Sequence, residues 1–228
     1  MKNVRKRFLS ALLALALVLA LLPVTAAAKD YINVTTFNEL KEAVAKNDVT
    51  ITLEGNIQLE SMLIITGKDV TLDLDGHTIT AASNFSPTDK SNNTHLVQIG
   101  NSTTGDQGDN VTIKDGTLET TDVNKHVLNI YYVENTNLEN LKLDHTNAWE
   151  GAPLIISAST VTIDGNMEFV TGEESWYAVN VDPKKSGQTA TLSFNAGTKI
   201  TYTGNTNLDL IKVDNANFQP KGTEIIQN

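Results

Sequence analysis

The chain has 228 residues, no cysteine, and 17 basic against 27 acidic side chains. Four basic residues, Lys2, Arg5, Lys6 and Arg7, stand at the extreme N-terminus; beyond them thirteen lysines face 27 acids, a balance of −14 without a single arginine. That balance argues against nucleic acid and anionic membrane surfaces as partners, since both are bound through basic groups.

Met1–Ala28 reads as a secretory signal peptide. Its basic start is followed by an apolar run from Phe8 to Leu22, and Ala26–Ala28 supplies the small residues of a cleavage site. The other reading is an uncleaved anchor, for which the run is short. LPVTA at Leu22–Ala26 has the look of a cell-wall sorting signal, but it stands at the wrong end of the chain with no apolar tail behind it. Residues 29–228 then suit one domain. A secreted domain of this size without disulfides depends on its core, which points to export from a bacterium. The N-x-S/T triplets at Asn33, Asn84, Asn92, Asn101 and Asn110 are what an Asn- and Thr-rich chain produces by chance.

The first element is a helix over about 36–46. Thr36 and Glu39 form a capping box, and Phe37, Leu40 and Val44 recur at helical spacing. Every later segment reads as a short strand of alternating apolar and polar residues, ended by Gly, Asn or Asp. The strands repeat. One family begins at Val49, Val70, Val111, Val161 and Ala190, with a weaker copy at Leu138; a second begins at His95, His126, Pro153, Tyr177 and Leu210. The longest insertions start at Ala82 and Gly100.

A repeat of two or three short strands with loops of uneven length predicts an all-β chain wound as a right-handed parallel β-helix of about six to seven coils. The helix would cap its first, otherwise open, edge. A β-sandwich is the alternative architecture, but its hairpin turns recur at shorter intervals. The stretch from Phe37 to Thr80, and VTLDLDGHTIT at Val70–Thr80 above all, resembles the opening of the pectate-lyase-like β-helix superfamily, especially its non-catalytic-looking bacterial surface and adhesin-type members. The likeness extends over residues 29–228 as a repeat pattern. It implies a fold, whereas the activities on that fold include lyases, hydrolases, esterases and adhesins.

Asp73, Asp75 and His77 form the densest polar cluster. Asp75-Gly76 recurs as Glu54-Gly55, Asp115-Gly116 and Asp164-Gly165, with Asn195-Ala196-Gly197 as a variant. An acid before glycine at every corner is turn chemistry. Asp73 shares an outward column with Thr52 and Lys114, and His77 aligns with Asn56, Thr117 and Asn166. Catalysis by Asp73, Asp75 and Lys114, or cation binding by Asp73 and Asp75, stand as alternatives, although calcium needs more oxygens than two carboxylates supply. The resemblance implies calcium and an arginine or lysine base for a lyase. No arginine is left to take that part; a lysine could, and Lys114 on an outer strand face is a formal candidate. The N-T-D, D-D, H-G and R-I-K motifs of polygalacturonases of this fold are absent. Nothing matches a serine-hydrolase elbow, and no histidine-rich motif suggests a metal.

The second strand family suggests a binding face. His95, His126, Pro153, Tyr177 and Asp209 align in one column, and Gln98, Asn129, Asn180 and Lys212 in an outward one. Trp149 and Trp176 flank them. Aromatic rings beside amides suit a pyranose, which has an apolar face and polar edges. Trp149 and Trp176 could equally just pack over the strands. His95 and His126 could stack on adjacent coils as a solvated pair, a metal pair or a pH-sensitive pair. In Tyr131-Tyr132 one ring should point inward and the other out. Outward Thr50, Thr52, Thr71, Thr112, Thr162 and Thr191 form a ladder that Asp73 and Lys114 interrupt, which counts against an ice-binding face.

The expected function is a secreted or cell-surface module, non-catalytic and without cofactor, that contacts extracellular polysaccharide or glycoprotein glycans through Trp149, Trp176, Tyr177, His95, His126, Asn129 and Asn180. The alternatives are a polysaccharide lyase or glycoside hydrolase with a degenerate site, with a place for calcium under the lyase reading alone, and a structural spacer or fragment of a larger surface protein.

Overall fold

A computed structural model describes residues 29–91, 94–100, 108–184, 188–205, 207–214, 216–219 and 224–227. Residues 1–28 and most of the second long insertion lie outside these residues. In chain order the elements are β1 Asp30–Val34, α1 Phe37–Ala43, β2 Val49–Leu53, β3 Ile57–Leu59, β4 Leu63–Ile65, β5 Val70–Asp73, β6 Thr78–Ala81, β7 Val97–Ile99, β8 Val111–Glu119, β9 Leu128–Tyr131, β10 Thr136–His145, β11 Leu154–Ser157, β12 Thr160–Asp164, β13 Asn166–Thr171, β14 Val179–Asp182, β15 Thr191–Phe194, β16 Lys199–Thr203, β17 Ile211–Val213, β18 Asn217–Gln219 and β19 Glu224–Gln227.

Among the described residues the chain is all-β apart from α1, and every strand pairing is parallel. Strands pair with their counterpart 19 residues on, as Asp30 with Val49, or up to 41, as Thr71 with Thr112. Three faces result. The first runs β1-β2-β5-β8-β10-β12-β15-β18. The second joins β3 to β6, β6 to the second half of β8, and continues through β10, β13, β16 and β19. The third runs β4-β7-β9-β11-β14-β17. We call one strand from each face a rung.

Inward columns explain why these residues stack. Ile51, Leu72, Ile113, Leu138, Ile163 and Phe194 follow one another on the first face, all buried. Ile57, Ile79, Leu118, Leu143, Phe169 and Tyr202 do so on the second, and Ile65, Ile99, Ile130, Ile156 and Val181 on the third. Each such side chain contributes about 1.5–3 kcal/mol by leaving water. Tyr202 brings a hydroxyl into the column, and it is satisfied by the Asn205 carbonyl at 2.5 Å and Thr171 Oγ1 at 3.1 Å.

The helix is shorter than its sequence pattern, ending at Ala43, with Val44 as its C-cap. Its capping box is present: Thr36 Oγ1 accepts from the Glu39 amide, and Glu39 Oε2 accepts from the Thr36 amide at 3.1 Å. Bonds from the Thr35 amide and hydroxyl, and then those from Thr36, hold the Glu39 carboxyl below its usual range. Leu40, Ala43 and Val44 are buried against the first rungs.

Three registers differ from the sequence alignment. Leu138 and Ala190 do not open their strands: Thr136 and Leu192 stand opposite Val161. A slip of two keeps each residue on its face, because the side-chain period is two. Thr191 therefore pairs with Thr160 and leaves the threonine column, which runs Thr50, Thr71, Thr112, Asn137, Thr162, Ser193. At β11 the slip is one: Leu154 pairs with Leu128, so Ala152, not Pro153, follows His126. Leu154, Ile155 and Ile156 are apolar on both faces and carry no phase to read. Tyr131 and Tyr132 meet edge to face at 4.7 Å, and neither is buried. Tyr132 has φ 57°, a left-handed corner that breaks the in-out alternation.

Candidate functional site

The cluster at Asp73 is an ion-paired corner. Lys114 Nζ donates to Asp73 Oδ2 at 2.5 Å and to Asp115 Oδ2 at 2.7 Å. The other oxygen of Asp73 accepts the Asp75 amide at 3.0 Å, and the other oxygen of Asp115 accepts from Asn140 at 3.0 Å. Hydrogen bonds to Asp115 and then Asp73 raise the Lys114 pKa, while the same bond to Lys114, then that from Asn140, lowers Asp115. A lysine base must be neutral when it works, and here both neighbours favour the ammonium. Asp73 has both oxygens engaged within the chain. His77 stands level with Gly116 rather than Thr117.

Left-handed backbone at this corner falls on Asp75 (φ 46°) together with Gly76 (φ 79°), on Asp115 (φ 58°) and on Asn140 (φ 50°), and on glycine alone at Gly165 (φ 64°). Gly116 is there for a different reason: a Cβ would lie 2.4 Å from that of Leu74. A second corner, at the start of the first face, was not read from sequence. Asp48, Asp69 and Asn110 occupy it at φ 55°, 58° and 56°. An Asp or Asn just before Val49, Val70 and Val111 was the available signal.

The third face brings most of the predicted aromatics together. His95 and His126 stack on adjacent rungs, centroids 4.7 Å apart and planes 23° from parallel. Trp176 meets His126 edge-on at 5.9 Å and Tyr177 at 6.1 Å. Lys125, which sequence reasoning passed over, places its ammonium 5.4 Å from the Trp149 ring centre and 5.0 Å from that of Trp176. Its contacts come from two later loops, so nothing local marks it. Trp149 is half-buried and its indole N–H reaches Thr94 Oγ1 at 3.4 Å, whereas Trp176 is 41% exposed.

The histidines are built in. His126 Nδ1 accepts the Ala152 amide at 3.0 Å, so its proton sits on Nε2. Gly151 makes this possible, because a Cβ there would fall 2.3 Å from His126 Nδ1. Burial, then the charge of Lys125, pushes His95 down to about 4; burial, then His95, holds His126 well below the usual range. A third buried histidine lies alongside. His145 Nε2 is 2.5 Å from the Lys125 carbonyl, which can only accept, so Nδ1 is left to accept the Ser175 hydroxyl at 2.7 Å.

The amide column is in register but not at the surface. Gln98, Asn129, Ile155, Asn180 and Lys212 stand opposite one another. Asn129 and Asn180 are buried, with Asn129 donating to Gln98 and Asn180 to Asp214, each at 3.0 Å. Both amides are spent within the chain and are not presented to solvent. Among the described residues, no three His, Asp or Glu side chains gather as a metal site. Comparison with known proteins gives no matching family model, curated protein or solved structure.

Proposed function

We propose that this chain is a right-handed parallel β-helix closed at its N-terminal end by α1, of the pectate-lyase-like kind, and that it is an exported, non-catalytic module which holds extracellular glycans. Three faces of all-parallel pairing, with strand returns of 19 to 41 residues, support the fold. The packing of α1 on β1 to β4 supports the cap. The leader-like Met1–Ala28 supports export.

One observation carries the binding reading: Trp176 is 41% exposed although His126, Tyr177 and Lys125 surround its ring. A fixed, partly exposed indole offers the C–H face of a sugar ring an apolar surface at little entropic cost. The non-catalytic reading is supported by Lys114, which its two carboxylates hold protonated.

The test is electrophoresis of the purified protein through gels containing plant and mucin polysaccharides, with product assays in parallel. Retardation by at least one polymer is expected, weakened about tenfold or more by Trp176→Ala, equivalent to ~1.4 kcal/mol. Release of reducing ends or unsaturated products would overturn the non-catalytic reading, and no retardation by any polymer would overturn the binding one.

A further inference from the structure

We infer that the platform around Trp176 takes an uncharged glycan and discriminates against acidic ones; this rests on its reading as a glycan site. The rim carries three lysines, and each is already matched. Lys125 is 3.9 Å from Glu150, Lys184 is 3.4 Å from Asp182, and Lys212 is 3.8 Å from Asp214. Two of them also lie over rings, Lys125 over both indoles and Lys212 over Tyr177 at 5.6 Å. A ligand carboxylate or sulfate would place a second anion beside a lysine whose charge a carboxylate already offsets, against the repulsion of that carboxylate. It would also approach a chain carrying a balance of −14 beyond its leader.

An uncharged sugar meets none of these costs. Its hydroxyls donate hydrogen bonds, and the rim offers acceptors for them. The side chains of Glu150, Asp182 and Asp214 are 36%, 29% and 44% exposed, so they keep lone pairs toward solvent while paired to lysine. His95 and His126 add no positive charge, being buried and neutral. Aromatic faces for the ring and carboxylates for its hydroxyls are complementary to a neutral pyranose.

The experiment uses polymers matched except for charge: methyl-esterified homogalacturonan against its de-esterified form, and desialylated against sialylated mucin, with galactan as a further neutral polymer. Retardation in affinity gels is read between about 50 and 500 mM NaCl, over which the Debye length shortens about threefold. The expected result is retardation by a neutral polymer, stronger than by any acidic counterpart, and changed by less than about twofold across that range. Stronger retardation by an acidic member, or loss of about tenfold or more with salt, would overturn the inference and leave the platform a glycan site. Retardation by no polymer would overturn both.

Discussion

The imidazoles of His95 and His126 stack 4.7 Å apart in a site where His95 Nδ1 is buried without a hydrogen-bond partner. Both rings are neutral in the folded chain and would titrate near 6.5 when unfolded. Their folded pKa values are depressed, so below about pH 6.5 the unfolded state binds more protons and stability falls. For His95 the loss runs from there to its folded value of about 4, and amounts to roughly 3 kcal/mol. Asp115 and Asp144, whose pKa values are also lowered, add a loss at still lower pH, as they protonate. Thermal melts should show Tm falling between pH 6.5 and pH 4. His95→Phe, which keeps a ring in the stack and removes the proton site, should flatten that slope. An unchanged slope would mean that His95 does not titrate as its burial implies.

Gly151 and Gly55 should respond oppositely to alanine. At Gly151 φ is 116° and a new Cβ would lie 2.3 Å from both His126 Nδ1 and the Lys125 carbonyl oxygen. Gly151→Ala should cost about 2–4 kcal/mol in urea unfolding. It should also weaken glycan retention, because His126 and Lys125 both border Trp176. Nothing lies within 4 Å of a Cβ built on Gly55, and its φ is not left-handed. Gly55→Ala should therefore be neutral, or stabilising by up to about 1 kcal/mol, through the unfolded state.

The periodicity of the strands was legible because Val-Thr-x-x segments alternate strictly, and a period of two survives even a slip of two, as at Leu138 and Ala190. Where both parities are apolar, as at Leu154–Ile156, register was not legible, and Pro153 took the place that belongs to Ala152. The stack of His95 on His126 could be read because both residues precede the same strand pattern. Lys125 could not, since its position between Trp149 and Trp176 depends on loops from two later rungs. The amide column was aligned correctly, yet Asn129 and Asn180 are buried. Strand alternation tells which way a side chain points and not what covers it.

Lys114 should prove structural. It bridges Asp73 and Asp115, whose side chains are 21% and 38% exposed, while its own is 27% exposed. Solvent screening limits the value of such a pair, and Lys114→Met should cost about 1 kcal/mol at neutral pH. The loss should shrink in Asp73→Asn/Lys114→Met, where one of the two facing carboxylates is gone; a double-mutant cycle in urea measures it. Purely additive effects would show that the bridge contributes nothing.

Thr136 occupies a place made for valine. It stands between Val111 and Val161 in an inward column, 4% exposed, and its Oγ1 has no hydrogen-bond partner. A hydroxyl taken out of water without a partner is unfavourable, and replacing it with a methyl of similar size removes that cost without opening a cavity. Thr136→Val should therefore stabilise the fold by about 1 kcal/mol, which for a chain of this size raises Tm by about 2–4 °C. Glycan retention should not change, because the column faces the core of the first face and the platform lies on the third. A fall in Tm would mean that Oγ1 is hydrogen-bonded in solution, for instance to a buried water.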